Sequence, residues 1–319
     1  MEDDIAQKRL ALLFNAGRTA YDLNDLETGE RTLREALQLS PGNPTVKAAL
    51  GAVLLKSGRL AEGFANFDAW RDLPGHEQNS APRLPITPWT GQPVSKKRIL
   101  IWSEHGFGDQ LMYARFAKVL VEHGADVCWL CPRDLARLFS GSLGIEVFPS
   151  DETVDLVGFD FYCPSSALPG GFGLTLESLP NAPYIKASLS RSTGGIGVMT
   201  EGNQNNHSGA SRALPVNIVD RILGLPGAVN LDPRVSGARD FQDTAEIIAG
   251  LESIISVDTA VAHLAGSMGK LVHVLVPFVS DWRWMLRGES TPWYPSARLH
   301  RQSAPGDWRS AAEAAMAAI

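Results

Sequence analysis

The sequence predicts an α/β protein: two halves, each built on a parallel sheet, preceded by a short all-α region. Three observations predict it. Residues 10–75 read as helix and repeat themselves at one period. Residues 72–96 are dense in proline and glycine. From Ile99 onward, short apolar runs alternate with segments of helical periodicity, the pattern of strand–helix–strand units.

The helical region comes first. Gly17 and Gly51 are 34 residues apart, as are Leu26 and Leu60, Gly29 and Gly63, and Leu33 and Phe67. Pro41 falls where the second helix of the first unit should stop. A 34-residue period with small residues at helix crossings is the tetratricopeptide signature. The alternative is an ordinary helical bundle whose glycines coincide. Two units are fewer than a free-standing array needs, so the segment should pack against the next domain. Pro74, Gly75, Pro82, Pro85, Pro88, Gly91 and Pro93 then exclude regular helix and mark a connector. Trp89 is placed to anchor that connector to a core.

Ile99 to Trp102 is a continuous apolar run, as expected of a parallel strand covered on both faces. The loop 104–109 follows, with Gly106 and Gly108. Met112, Phe116, Val119 and Leu120 lie at helical spacing, Gly124 ends the helix, and Val127 to Cys131 is the next strand. A second set starts near Gly195. It has strands at 197–199, 228–231, 253–257 and 271–276, and helices at 215–223, 243–251 and 260–268, with Asp243 as expected N-cap. Two Rossmann-like domains result. The expected boundaries are 1–75 for the repeats, 76–96 for the connector, 97–190 for the first half and 191–319 for the second.

Composition limits the function classes. The 319 residues hold 29 Lys plus Arg against 35 Asp plus Glu, a net charge of -6. Such a chain is poorly suited to neutralising nucleic-acid phosphates. No apolar run reaches the length of a membrane span, and no secretory signal is visible at the acidic start. Three cysteines form no disulfide framework and point to a reducing, cytoplasmic setting. Cys128 and Cys131 have CxxC spacing, but they lie in an apolar strand with no second ligand pair, so they read as structural. No metal is expected.

Three loops carry candidate chemistry. Gly106 and Gly108 permit a tight strand-to-helix turn, or bring Asp109 to a cleft where a carboxylate accepts a proton from an attacking hydroxyl. Position 111 is Leu111 and Cys131-Pro132 ends the second strand, so a dinucleotide fingerprint is incomplete. Asp258, Thr259 and His263 open a helix. Thr259 and His263 share a face at a helix N-terminus, a ready phosphate site; alternatively Asp258 caps the helix and His263 packs locally. The polar loop from Glu201 through His207 to Arg212 either joins that site or is plain surface.

At this point the sequence resembles bacterial proteins that join tetratricopeptide repeats to a glycosyltransferase region of the GT-B class, distantly similar to ADP-heptose lipopolysaccharide heptosyltransferases. The stretches that carry the resemblance are 58–64, Pro88-Trp89-Thr90-Gly91, 104–110 with 113–116, 255–266, 281–284 and 290–295. The resemblance implies Asp109 as general base and Asp258, Thr259 and His263 at the donor diphosphate-sugar site. It places Thr200, Glu201, Asn203, His207 and Arg212 at the donor phosphates. The chain departs from the pattern at Thr200 and at Ser208-Gly209-Ala210-Ser211, where relatives usually carry a Trp and a denser basic cluster. What it implies is an inverting, metal-independent transfer from a nucleotide sugar to a glycan or protein acceptor, with no cofactor. A degenerate transferase fold acting as a repeat-mediated scaffold is the competing expectation.

Overall fold

The computed structural model describes residues 2–73, 84–188, 194–202 and 209–319. The chain divides into two compact units. One comprises Met1–Pro82, Pro169–Leu179 and Val279–Arg287; the other comprises Arg83–Leu168, Pro180–Phe278 and Gly288–Ile319. Both expected sheet halves therefore fall in the second unit, and the 281–284 motif falls in the first.

The first unit is helical: α1 (Glu2–Asp22), α2 (Leu26–Leu39), α3 (Pro44–Lys56) and α4 (Leu60–Phe67), then a 3₁₀ turn at Asp68–Asp72. Two starts are capped by side chains. Asp25 accepts from the amide of Thr28 at 3.1 Å, and Asn43 accepts from that of Val46 at 3.2 Å. Leu26, Leu33, Ala36, Val46, Leu50, Val53 and Leu54 form the core between the helices. The repeat glycines sit at equivalent crossings. A Cβ on Gly17 would stand 2.6 Å from Cγ of Leu33, and one on Gly51 would stand 2.4 Å from the backbone nitrogen of Phe67. Each is sixteen residues before its neighbour (33−17, 67−51). Arg34 and Arg59 bridge Glu30 and Glu62 in one charge network between α2 and the start of α4. Trp282 sets its ring edge-on to Phe64 of α4, with centroids 5.5 Å apart.

The second unit holds two five-stranded parallel sheets among the described residues. The first is formed by β1 (Thr87–Pro88), β2 (Arg98–Trp102), β3 (Asp126–Cys131), β4 (Glu146–Pro149) and β5 (Phe161–Pro164), in the order β1-β5-β2-β3-β4. The second is formed by β6 (Ile196–Met199), β7 (Ala228–Asn230), β8 (Ser253–Val257), β9 (Leu271–Val276) and β10 (Ala297–Arg301), in the order β10-β9-β8-β6-β7. This unit's helices are α5 (Phe107–Tyr113), α6 (Arg115–Glu122), α7 (Arg133–Leu143), α9 (Gly209–Arg212), α10 (Val216–Leu223), α11 (Pro233–Ser236), α12 (Phe241–Ala249), α13 (Ala260–Ser267) and α14 (Arg309–Ala317), while the short α8 (Leu168–Gly171) falls, from Pro169 on, in the first unit. None of the described helices is long and apolar enough to cross a membrane.

The long apolar strands lie where the sequence predicts. Four shorter ones were not expected: β1, β4, β5 and β10. Each is brief or mixed in polarity, and β1, β4 and β5 end in proline. Trp89 of the connector is buried; its amide bonds the carbonyl of Tyr162 and its indole that of Gln92. Cys128 and Cys131 are buried in β3, and burial pushes both thiols up to about 12, which makes them poor nucleophiles. One expectation is corrected. Asp240, not Asp243, caps α12: its carboxylate accepts from the amide of Asp243 at 3.0 Å, while Asp243 is held by Arg239 and Arg137.

Two predictions follow from this packing. Gly51→Ala forces the new methyl group against backbone rather than a pliable side chain, so unfolding free energy should drop by about 1–3 kcal/mol; urea denaturation with no change would show that the two helices yield freely. The second concerns His273 and His300, stacked on β9 and β10 with Nδ1 and Nε2 2.9 Å apart. Burial, then the neighbouring His300 and Arg298, bring His273 down to about 4; burial also lowers His300. Both are held uncharged in the fold and take up protons more readily when unfolded. Their contribution is complete above about pH 6.5 and is lost as pH falls from there towards 4, a change of about 1–3 kcal/mol for the pair. His273→Phe should flatten that stretch of the stability–pH curve; an identical curve would remove the pair as its source.

Candidate active site

In an open parallel sheet, ligands bind at the carboxyl ends of strands where the strand order reverses. Each sheet here has one such reversal. In the first sheet the chain runs outward from β2 through β3 to β4, then returns to place β5 on the other side of β2. In the second it runs from β6 to β7, then returns to place β8 beside β6. The loops leaving β2, β5, β6 and β8 therefore define two crevices, and the sequence-predicted residues lie on three of those four loops.

At the first reversal, Glu104 follows β2 and is 2 % exposed. Its amide donates to Oγ of Ser165 at 3.1 Å, and Oγ of Ser166 donates to its Oε2 at 2.6 Å. Both serines follow β5 directly. This buried carboxylate bridges the two loops of the crevice. His105 then adopts φ of +65° and Gly106 opens α5. Asp109 is half-buried in the first turn, where its Oδ2 accepts from the amide of Gly106 at 3.2 Å. One oxygen of the expected base thus fastens its own loop.

At the second reversal, Thr200, Glu201 and Gly202 leave β6 beside the end of β8, with Met199 paired to Ser256. Glu201 is exposed and salt-bridged to Arg234 at 2.8 Å. A Cβ on Gly202 would touch the methyl group of Thr259 at 3.4 Å. Asn203 and His207 lie outside the described residues. Arg212 reaches back to this point: it donates to the carbonyl of Asp258 at 3.1 Å and pairs with the carboxylate of Asp258 at 3.0 Å. Thr259 is the N-cap of α13 but makes no side-chain cap hydrogen bond; its hydroxyl bonds Oγ of Ser256 at 3.0 Å. His263 is buried, with Nε2 3.9 Å from Oδ1 of Asp258 and Nδ1 2.9 Å from the hydroxyl of Tyr294.

The two crevices meet at a single crossing. A Cβ on Gly108 would stand 2.7 Å from Cδ2 of His263, 3.4 Å from its Nε2 and 3.6 Å from Cα of Ala260. Only a bare α-carbon lets the start of α5 lie against the start of α13. The fold thus brings together Gly106, Gly108 and Asp109, Thr200 to Gly202, Arg212, and Asp258 to His263.

Behind the crossing sits Arg115, 2 % exposed at the start of α6. It donates to the carbonyls of Met112 (2.9 Å), Pro180 (2.8 Å) and Trp293 (3.0 Å) and to the hydroxyl of Tyr184 (3.2 Å). The rings of Tyr184, Trp293 and Tyr294 lie 5.0–5.2 Å from its guanidinium. Tyr294 packs on α13 where Gly266 has no side chain. Sequence reasoning gave Glu104, Arg115, Tyr184 and Tyr294 no role. Apart from Met112 beside Arg115, their partners lie 31 to 178 residues away in sequence, and an arginine opening an amphipathic helix carries no local sign of burial. Among the described residues no group of three or more His, Cys, Asp or Glu is gathered as a metal set.

No family model matches the chain. Protein FlbA of Caulobacter vibrioides is similar to it, 24% identical over 352 aligned positions, covering 92% of this chain and 58% of FlbA. The chain thus spans little more than half the length of that relative. Among solved structures, similarity extends to the iron-containing dodecameric glycosyltransferase TibC from enterotoxigenic E. coli H10407 (16% identity, TM-score 0.45, 67% of this chain and 65% of that one). It also extends to a family 9 glycosyl transferase of Veillonella parvula (11% identity, TM-score 0.48, 67% and 88%) and to E. coli ADP-heptose lps heptosyltransferase II (14% identity, TM-score 0.44, 67% and 93%).

Replacing Arg115 by Met keeps the stem but leaves the buried acceptors around it without a donor. Unfolding free energy should fall by about 3 kcal/mol. A loss below about 1 kcal/mol in urea denaturation would mean that the surrounding rings hold this junction without the cation.

Proposed function

We propose that the chain is a glycosyltransferase that takes its sugar from a nucleoside diphosphate. The observation that carries this reading is the start of α13. It stands at a strand-order reversal, its N-cap side chain is turned to Ser256, and Arg212 lies against the preceding residue. A helix start of that kind carries amide donors and partial positive charge, both suited to phosphate. The diphosphate is read at Thr259, Asp258, His263 and Arg212, with Thr200 and Glu201 on the adjoining loop. Asn203 and His207 belong to the same reading by sequence resemblance alone.

The acceptor enters at the first sheet. Asp109 follows Gly108, which touches α13, so a carboxylate stands one residue from the crossing. In this reading Asp109 removes the proton of the acceptor hydroxyl as that oxygen attacks the anomeric carbon with inversion, while the helix end and Arg212 stabilise the departing diphosphate. The helical hairpins, read as two tetratricopeptide-like units with equivalent glycines at 17 and 51, recruit a glycan or protein acceptor. No divalent metal takes part: the sequence has no paired-carboxylate strand end in the second half. A second reading, a scaffold that has lost turnover, is favoured by one observation, the use of Asp109 to fasten its own loop.

The test has two arms. A panel of nucleoside diphosphates and their sugars should include one that raises the melting temperature of the full chain, with EDTA present as well as absent. With that donor, Asp109→Asn should cut turnover at least ~100-fold and leave donor binding nearly unchanged. Binding that needs added Mg²⁺ or Mn²⁺ would remove metal independence, no stabilisation by any donor would remove the transferase reading, and unaltered turnover in Asp109→Asn would remove the base.

A further inference from the structure

The outer face of α1 is apolar. Ile5 and Leu12 are 61 % and 70 % exposed, and Ala16 and Thr19 on the same side are exposed as well. Leu23, 68 % exposed, extends the stripe, since its amide still bonds the carbonyl of Thr19 as in a helix. The spacing of positions 5, 12, 16, 19 and 23 puts all five side chains on one side of the helix. The other side, with Leu10, Leu13, Phe14 and Gly17, packs into the helical core.

The 34-residue period shows what such a face does. One period after Leu12, Ala16 and Thr19 stand Val46, Leu50 and Val53 of α3. Those three are buried, each at 2 % exposure or less, in the core that α3 shares with α2. A Cβ on Gly29 of α2 would touch Val53 at 3.5 Å. On α1 the equivalent face meets no helix among the described residues. A face that ends a stack of helical units in water is polar. This one carries three large apolar side chains instead, so it is a packing face that calls for a further helix. The stripe of α2 in a second copy is covered by its own α3. The stripe of α1 in a second copy is open, and it matches itself. In the antiparallel register that sets Ile5 against Leu23, Leu12 falls against Ala16, a large side chain over a small one. A two-fold axis across an antiparallel pair brings like edges together. Lys8 and Asp22 are both exposed on one edge of the stripe, so Lys8 of each copy comes within about one turn of Asp22 of the other.

We propose that α1 is a self-association surface: two copies of this chain pair through their α1 helices, antiparallel about a two-fold axis, with Leu12 of each seated over Ala16 of the other and Ile5 over Leu23. One helix pair buries less than the roughly 1,600 Å² of a standard interface, so the dimer is weak, with a Kd on the order of 10–100 µM.

The test is the oligomeric state of the full chain, read by sedimentation from well below to well above that concentration range. The wild type should pass reversibly from monomer to dimer. Leu12→Arg and Ala16→Glu each set a charge in the apolar seam, and each should raise Kd at least ~tenfold. Both positions are exposed in the monomer, so both variants should melt as the dilute wild type does. The register is read by cross-linking. Ile5→Cys and Leu23→Cys chains, mixed under oxidised glutathione, should form the mixed disulfide in preference to either like pair. A wild type that stays monomeric throughout overturns the proposal and leaves the stripe to a helix of another protein. A dimer that both charged variants leave intact overturns it too, because its interface then lies elsewhere. Preferential cross-linking of like with like would overturn the antiparallel pairing.

Discussion

The buried guanidinium of Arg115 is the constraint on which the site geometry rests. A cation held this far from water requires its donors to be answered. Four groups answer them, three of them backbone carbonyls, and three aromatic rings surround the remainder. Two of those carbonyls, of Pro180 and Trp293, come from segments that follow the first sheet and the fourth strand of the second. One side chain at the start of α6 therefore fixes chain segments from both sheets. Tyr294 carries that fixation onward to α13, both by packing on Gly266 and through its hydrogen bond to His263. The crossing of α5 and α13 at Gly108 is held from behind by this cluster.

Legibility from sequence followed burial. Strands β2, β3, β8 and β9 are apolar on both faces, and continuous runs such as Ser253–Val257 and Leu271–Val276 announced them within a residue. β5 sits between β1 and β2, yet at four residues ending in Pro164 it offers too short a run to separate from a loop. β10 alternates apolar and basic residues as an edge strand should, but it follows a proline-rich stretch and offers no continuous apolar run to read. The repeat glycines were legible because a period needs no tertiary knowledge. Their reason, contact with Leu33 and Phe67, was visible only in the packing.

The site was legible one loop at a time. Glycines and polar residues after strands identified 106–109, 200–212 and 258–263 as candidates, since a strand end in an open sheet is where side chains can meet a ligand. The joining of those loops was not legible. Glu104 meets Ser165 and Ser166 across about sixty residues, Arg212 meets Asp258 across 46, and Gly108 meets His263 through the absence of a side chain. A missing Cβ leaves no compositional mark beyond a glycine, and a glycine after a strand already had a sufficient local reason. The same ambiguity covered Asp109, whose carboxylate accepts from the amide of Gly106 in its own loop.

Charge balance at α13 ties these loops to any anion that binds there. Asp258 places a buried negative charge directly before a helix start, where the backbone dipole already favours anions. Arg212 offsets it by pairing with both its carboxylate and its carbonyl. On the proposed reading an arriving diphosphate brings more negative charge to the same few ångströms. Asp258 and the phosphates then draw on one guanidinium, and repulsion between the two anions is relieved only if Arg212 serves both. Arg212 closes α9, the short helix at the far end of the polar loop that leaves β6. A site with a denser set of cations would bind the diphosphate without drawing on Asp258. With Arg212 as the cation paired with Asp258, the proposed diphosphate and that carboxylate draw on one charge partner.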